Sequence, residues 1–248
     1  MDPARLDPKN PPPAPWQLQA NNPELLEQLA NDIAAKDFSL RNSIRMIVQS
    51  SAYQLSSRYS GDWKLEYVPL YARHYPRRMD AEEVHDAIAK ATGVPGNYVI
   101  NGPGSDPVLW AMQLPEPREP LSNGAVAVFL NSFLRGNRDN VQRSQAGSIL
   151  QQLNMMNDNF VLSRVKVAAS PTLAAMAKIS DNNSLIDEMF LNFLSRFPTG
   201  EERRKSNAYL SQPLPANASA AAVTAARNAA VEDLSWVCLN KLEFLFSY

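Results

Sequence analysis

Cysteine and histidine are nearly absent from this sequence: 248 residues carry one cysteine, Cys238, and two histidines, His74 and His85. A single cysteine excludes an internal disulfide, which fits the cytoplasm without excluding a periplasm. A thiol nucleophile could only be Cys238. It lies in an apolar C-terminal stretch, where a buried structural thiol is the plainer reading. Any Ser-His-Asp arrangement must use His74 or His85, and no nucleophile-elbow motif is present. CxxCH, GxxxxGK[ST] and HExxH are all missing, which removes the common signatures of attached haem, nucleotide phosphate and zinc. Asp181-Asn182-Asn183 lacks the glycine and distal glutamate of a calcium loop. Charge of one sign is also lacking: 24 Lys and Arg face 25 Asp and Glu, a formal net charge of -1. That balance argues against nucleic acid, although arginines cluster near 135–143. No apolar run is long enough to span a bilayer, and the N-terminus has no signal-peptide h-region.

Proline is plentiful instead, with 19 residues. The opening, MDPARLDPKNPPPAPWQLQ, reads as an extended strap over residues 1–21 and as the interior of a longer chain. The rest reads as one all-α domain, residues 1–248, a multi-helix orthogonal or bundle-like assembly. A long Pro/Gly-rich loop at 93–123 interrupts it, with short strands at Asn97–Ile100 and Val108–Leu114. Asn22-Pro23-Glu24 starts a first helix with Leu25, Leu26, Leu29, Ile33 and Ala34 inward. A second begins near Ser39, with Leu40, Ile44, Ile47 and Val48 inward. Asp80 and Glu83 form a capping box for a third helix, which Gly93 ends. Asn123 caps a helix to Leu134. The organising element is then a helix within Arg143–Lys166, where Ile149, Leu150, Leu153, Met156, Phe160 and Val161 recur at core-facing spacing. Gln151, Asn154, Asn157 and Asp158 sit in that stripe and need partners if buried. Ser170 and Ser184 cap further helices, and Thr199 with Glu202 forms a second capping box. The final stretch, Trp236–Tyr248, is apolar enough to dock as a helix between the core and the first two helices, around Leu26 and Ile44.

Few residues suggest chemistry. Glu82, His85 and Asp86 share one helix face, and Glu-x-x-His is half of a di-iron carboxylate motif. The second half is missing, so no metal site is expected, and the plainer reading is a helix-face pair. Arg73, His74, Arg77 and Arg78 form a basic cluster suited to a phosphate or carboxylate, or to pairing with Asp158 or Glu188. The candidate catalytic set is therefore Arg77, Arg78, Glu82, His85 and Asp158. No cofactor is expected in this chain.

Five stretches, FSLRNSIRMIVQSSAYQLSS, YPRRMDAEEVHDAI, ILQQLNMMNDNF, FLSRFPTGEE and LNKLEFLFSY, resemble in their order the domain-of-unknown-function family 1553, the planctomycete-type C-terminal module of large bacterial secreted proteins. The resemblance implies a periplasmic or extracytoplasmic setting. It also implies partners in other domains of the same longer protein, among them cytochrome c-like modules that would carry any haem. The sequence departs from the family where Arg143 alone remains of a cysteine and basic residues, where His85 replaces an arginine, and where Ser148-Ile149 replaces a threonine-proline pair. Two functions follow. One is a non-catalytic structural or interaction module. The other is part of an enzyme acting on carbohydrate or another anionic substrate through the Arg/Glu/His set.

Overall fold

The computed structural model describes residues 22–100, 106–136 and 147–247. The expected strap at 1–21 and the basic connection at 137–146 lie outside the described residues. The chain divides into two compact units, one ending at Pro76 and the other running from Arg77 to Ser247. Among the described residues the structure is all-α: ten helices and one two-stranded ladder.

In the first unit, α1 (Pro23–Ala35) and α2 (Leu40–Val48) contact each other across a short connection. That connection turns through Asp37 and Phe38, both in the left-handed region at φ 51° and 54°. The Asn22 amide donates to the Pro69 carbonyl, 3.0 Å, and ties the start of α1 to a 3-10 turn at Leu65–Leu70. Trp63 is an aromatic hub, with Tyr59, Tyr67 and Tyr75 set edge-on and the Arg73 guanidinium 4.2 Å above its ring. The two helices form where expected, but their apolar stripes do not point into a core. None of the unit's described residues is buried, and Leu40 and Ile44 are 69% and 60% exposed. Helical periodicity identifies an apolar face; it does not say what the face packs on.

The second unit holds the core, and α3 (Ala81–Thr92) is its axis. Asp80 and Glu83 form the capping box, and Gly93 ends the helix at φ 68°. A side chain at Gly93 would also meet the Thr172 hydroxyl 2.6 Å away. Ala81, Val84 and Ile88 are fully buried. The last carbonyls of α3, which have no helical partner, are taken by two side chains. Asn192 donates to Ala91, 2.7 Å, and Ser170 donates to Thr92. Around α3 lie α4 (Gly124–Ser132), α6 (Asn159–Arg164) and α7 (Pro171–Met176). A second group is formed by α8 (Asn182–Leu194), α9 (Gly200–Leu210) and α10 (Ala220–Leu239).

The stretch expected as one central helix is two. α5 (Ile149–Asn157) stops where Asp158 adopts an extended backbone, ψ 136°, and caps α6 by accepting from the Phe160 amide at 2.8 Å. Phe160 and Val161 are buried as expected, but Ile149, Leu150, Leu153 and Met156 face solvent, and Gln151 and Met155 point inward. α5 lies at the surface, and its inner face is chosen by a polar contact described below. α8 is capped by Asp181, whose carboxylate accepts from the Ser184 amide at 2.7 Å, so Ser184 is the third helical residue and not the cap. The long loop has less strand than expected. Tyr98 and Val108 form one antiparallel bridge, and Ala111–Gln113 is a 3-10 turn.

The C-terminal segment docks, though not as a helix. After Leu239 it makes a 3-10 turn, Leu242–Leu245, then β2 (Phe246–Ser247) pairs antiparallel with β1 (Arg77–Arg78). Phe244 and Leu245 are buried while Leu242 is exposed. A charged lattice fixes the turn. Arg196 binds both oxygens of Glu202 at 2.8 Å and also Glu243, while Lys241 reaches Glu202 at 2.7 Å. The two carboxylates raise the Arg196 pKa, and Arg196 in turn holds Glu202 well below the usual carboxylate range. Burial pushes the Cys238 thiol up to about 12, which leaves it protonated and unreactive. Phe244→Ala is expected to lower unfolding free energy by about 3–5 kcal/mol, measured by urea denaturation. An unchanged midpoint would mean the segment is not part of the core.

Candidate functional site

The polar side chains singled out by sequence gather around α3, where they fall into three linked clusters. The capping box sets the phase of the helix, and Glu82 and His85, three residues apart, then both point into the protein.

The first cluster is charged and dry. Glu82 and Arg135 are 3% exposed each, and Arg135 Nε donates to Glu82 Oε1 at 2.8 Å. The rest of the Arg135 fork is satisfied by the loop: Nη1 donates to the carbonyls of Pro117 (2.7 Å) and Glu119, and Nη2 to that of Glu116 (3.2 Å). An arginine can be taken out of water only when its donors find such acceptors. Arg135 thus binds three loop carbonyls to one carboxylate of α3.

The second cluster centres on His85, which is completely buried. Its Nδ1 lies 2.7 Å from Asp86 Oδ1 and its Nε2 2.6 Å from the Tyr98 hydroxyl. A carboxylate can only accept, so Nδ1 carries the proton and Nε2 accepts from Tyr98. Asp86 also accepts from the backbone amides of Ala111 (2.7 Å) and Met112 (3.1 Å), at the start of the 3-10 turn. The imidazole stacks on Phe160 with ring centroids 4.4 Å apart, and Arg164 lies 3.8 Å from the centroid of the same phenyl ring. Burial lowers the His85 pKa, opposed by Asp86 and reinforced by Arg164 and Arg135. Burial also raises Tyr98 and lowers Arg164. The set Asp86–His85–Tyr98 has the order of an acid–base relay, but its ends are a loop backbone and a tyrosine that is 2% exposed. What it does in this geometry is fasten the loop to the helix.

The third cluster is partly open. Arg77 binds Glu83 through both oxygens, 2.8 and 2.6 Å, and Glu83 also accepts from the Asp80 amide, 2.7 Å. Arg78 donates to Gln151, whose side chain also accepts from the Ser148 amide in the capping box of α5. Desolvation lowers the Arg78 pKa. Gln151 is 1% exposed, and this contact is why α5 turns its amide inward and its leucines outward. Arg77 and Arg78 are brought together with Glu82 and His85 by the β1–α3 corner, whereas Asp158 serves as a cap on α6. His74 and Arg73 belong to the first unit, where His74 meets the Tyr53 ring.

Tyr98 was not singled out by sequence, Arg135 only as one of the arginines near 135–143, and Gln151 only as a polar residue that needs a partner if buried. Arg135 opens the basic connection RGNRDNVQRSQ and reads there as a solvated charge. Its only signal is its place directly after the apolar run ending at Leu134. The Glu-x-x-His pair is taken up by Arg135 on one side and by Asp86 and Tyr98 on the other. Among the described residues, no group of three or more His, Cys, Asp or Glu is placed to hold a metal ion.

Two outcomes check these roles. Glu82→Ala leaves Arg135 buried without its counter-charge and is expected to cost about 3–5 kcal/mol of stability; a loss under 1 kcal/mol would mean the pair is hydrated. For His85 the folded pKa lies below the unfolded value near 6.5. The unfolded chain therefore takes up a proton that the folded chain refuses. Its contribution is intact above about pH 6.5 and is lost as pH falls below that value. The melting temperature should drop between pH 7 and 5, and His85→Gln should have a flatter profile. Equal slopes for both proteins would contradict a buried neutral imidazole.

No curated protein and no solved structure matches the chain. The family described as protein of unknown function (DUF1553) matches residues 17–210, well over half of the chain. These residues include the β1–α3 corner, the long loop, α5 and the first part of the charged lattice at Arg196 and Glu202, and the chain belongs to that DUF1553 family.

Proposed function

We propose that the chain is a non-catalytic structural and interaction module. The observation that carries this reading is the sealing of Glu82 and His85, 3% and 0% exposed, by partners that belong to the fold itself. A general acid or base must come within hydrogen-bond reach of a substrate, and neither group has a free approach. Arg77 and Arg78 are likewise engaged, by Glu83 and Gln151. Support for an interaction role comes from α5, whose Ile149, Leu150, Leu153 and Met156 form an exposed apolar strip. Contiguous apolar surface of this kind is a usual mark of protein contact.

On this reading the partners of α5 are other domains of a longer exported protein that includes cytochrome c-like modules. That part rests on family resemblance, as does an extracytoplasmic location. The chain itself carries no metal or cofactor in this proposal. The alternative, an enzyme fragment acting on carbohydrate or another anionic substrate, requires Arg77 or Arg78 to exchange its internal partner for a ligand.

Thermal-shift titration with uronic acids, sulfated and phosphorylated sugars, and neutral oligosaccharides separates the two. The expected outcome is no saturable stabilisation by any of them. Saturable stabilisation that disappears in Arg77→Lys or Arg78→Lys would establish the anionic-substrate reading instead.

A further inference from the structure

The α1–α2 pair is incomplete as a folded element. Its exposed apolar side chains, Leu25, Leu26, Leu40, Ile44, Ile47 and Val48, are 37–69% accessible, and no described residue of the first unit is buried. A helical pair gains most of its stability from burying such a face, so this one needs a cover.

Its charges indicate which cover. α1 carries Glu24 and Glu27, and its Asp32 is neutralised by Lys36 at 2.8 Å. α2 carries Arg41 and Arg45 and no acid. Neither Glu24 and Glu27 nor Arg41 and Arg45 form ion pairs with other described residues. One helix of the hairpin is therefore acidic and the other basic, with apolar residues on both. A two-fold axis through such a hairpin sets α1 of one copy against α2 of the other, and both interfaces gain opposite charges at once. A hairpin with one sign of charge on both helices could not pair with itself in this way.

We propose that the α1–α2 face is an isologous dimer interface, in which two hairpins pair as a four-helix bundle with Glu24 and Glu27 of one copy facing Arg41 and Arg45 of its partner. The inference goes beyond the proposed function and does not depend on it, since a catalytic chain would dimerise through the same face.

The test is sedimentation equilibrium on the full chain and on variants confined to exposed positions. The expected wild-type behaviour is reversible dimerisation. Ile44→Glu, and separately Arg41→Glu/Arg45→Glu, should each weaken it about tenfold or more, as like charges and a buried carboxylate oppose the contact. The decisive arm mixes Arg41→Glu/Arg45→Glu with Glu24→Lys/Glu27→Lys. The charges then match again across both helix contacts, and a heterodimer should form where each variant alone is weakened. Near-UV circular dichroism reads the aromatic packing of both units, so loss of fold is distinguished from loss of contact. A wild-type chain that stays monomeric up to its solubility limit overturns the proposal. So does a dimer indifferent to Ile44→Glu, or a mixture that associates no better than its separate components.

Discussion

An arginine without water around it must find an acceptor for each donor, and Arg135 sets the terms for much of the second unit. Its fork holds Glu82 on one side and three carbonyls of residues 116–119 on the other. Glu82 can face Arg135 only if α3 starts in the right phase, and that phase is set by the Asp80–Glu83 capping box. The same phase turns His85 inward, against Phe160, where only a neutral ring with two partners is tolerated. Asp86 and Tyr98 are those partners, and Asp86 then orders the 3-10 turn of the loop. A loop of thirty residues would ordinarily be a mobile feature of a helical protein. Here polar fastenings near its start, middle and end attach it to the core: Arg164 to Val94, His85 and Asp86 to Tyr98 and Ala111, and Arg135 to 116–119.

Four of the five stretches that carry the family resemblance meet in space within this unit. FLSRFPTGEE supplies Arg196 and Glu202, and LNKLEFLFSY supplies Lys241 and Glu243, the four members of one charged lattice. YPRRMDAEEVHDAI pairs by β-ladder with the end of LNKLEFLFSY and through Arg78 with Gln151, the first glutamine of ILQQL. The polar residues of these stretches are accounted for by how the segments lock together.

Local signals in the sequence were read well where they are self-contained. The capping boxes at Asp80–Glu83 and Thr199–Glu202 and the Gly93 stop need only four or five consecutive residues, and each is present. Signals that depend on distant partners were not legible. The leucines of α5 have core-facing spacing, yet Gln151 and Met155 face the core because Arg78, 73 residues earlier in the chain, meets Gln151. Periodicity also could not show that α1 and α2 present their stripes to solvent. Glu82 and His85 were found because a face of one helix is readable. Their sealing was not, because it comes from Arg135 and Tyr98, which belong to a connection and a loop.

The central claim is that the Glu82–His85–Asp86 face fastens the long loop to α3. Hydrogen exchange of the Ala111 and Met112 amides, which donate to Asp86, tests it most directly. In the wild-type chain these amides should be strongly protected. In Asp86→Asn they should exchange rapidly together with Tyr98 and Val108, while the interior amides of α3 and α8 stay protected. Free exchange of Ala111 and Met112 in the wild-type chain, or protection unchanged by Asp86→Asn, would contradict the account.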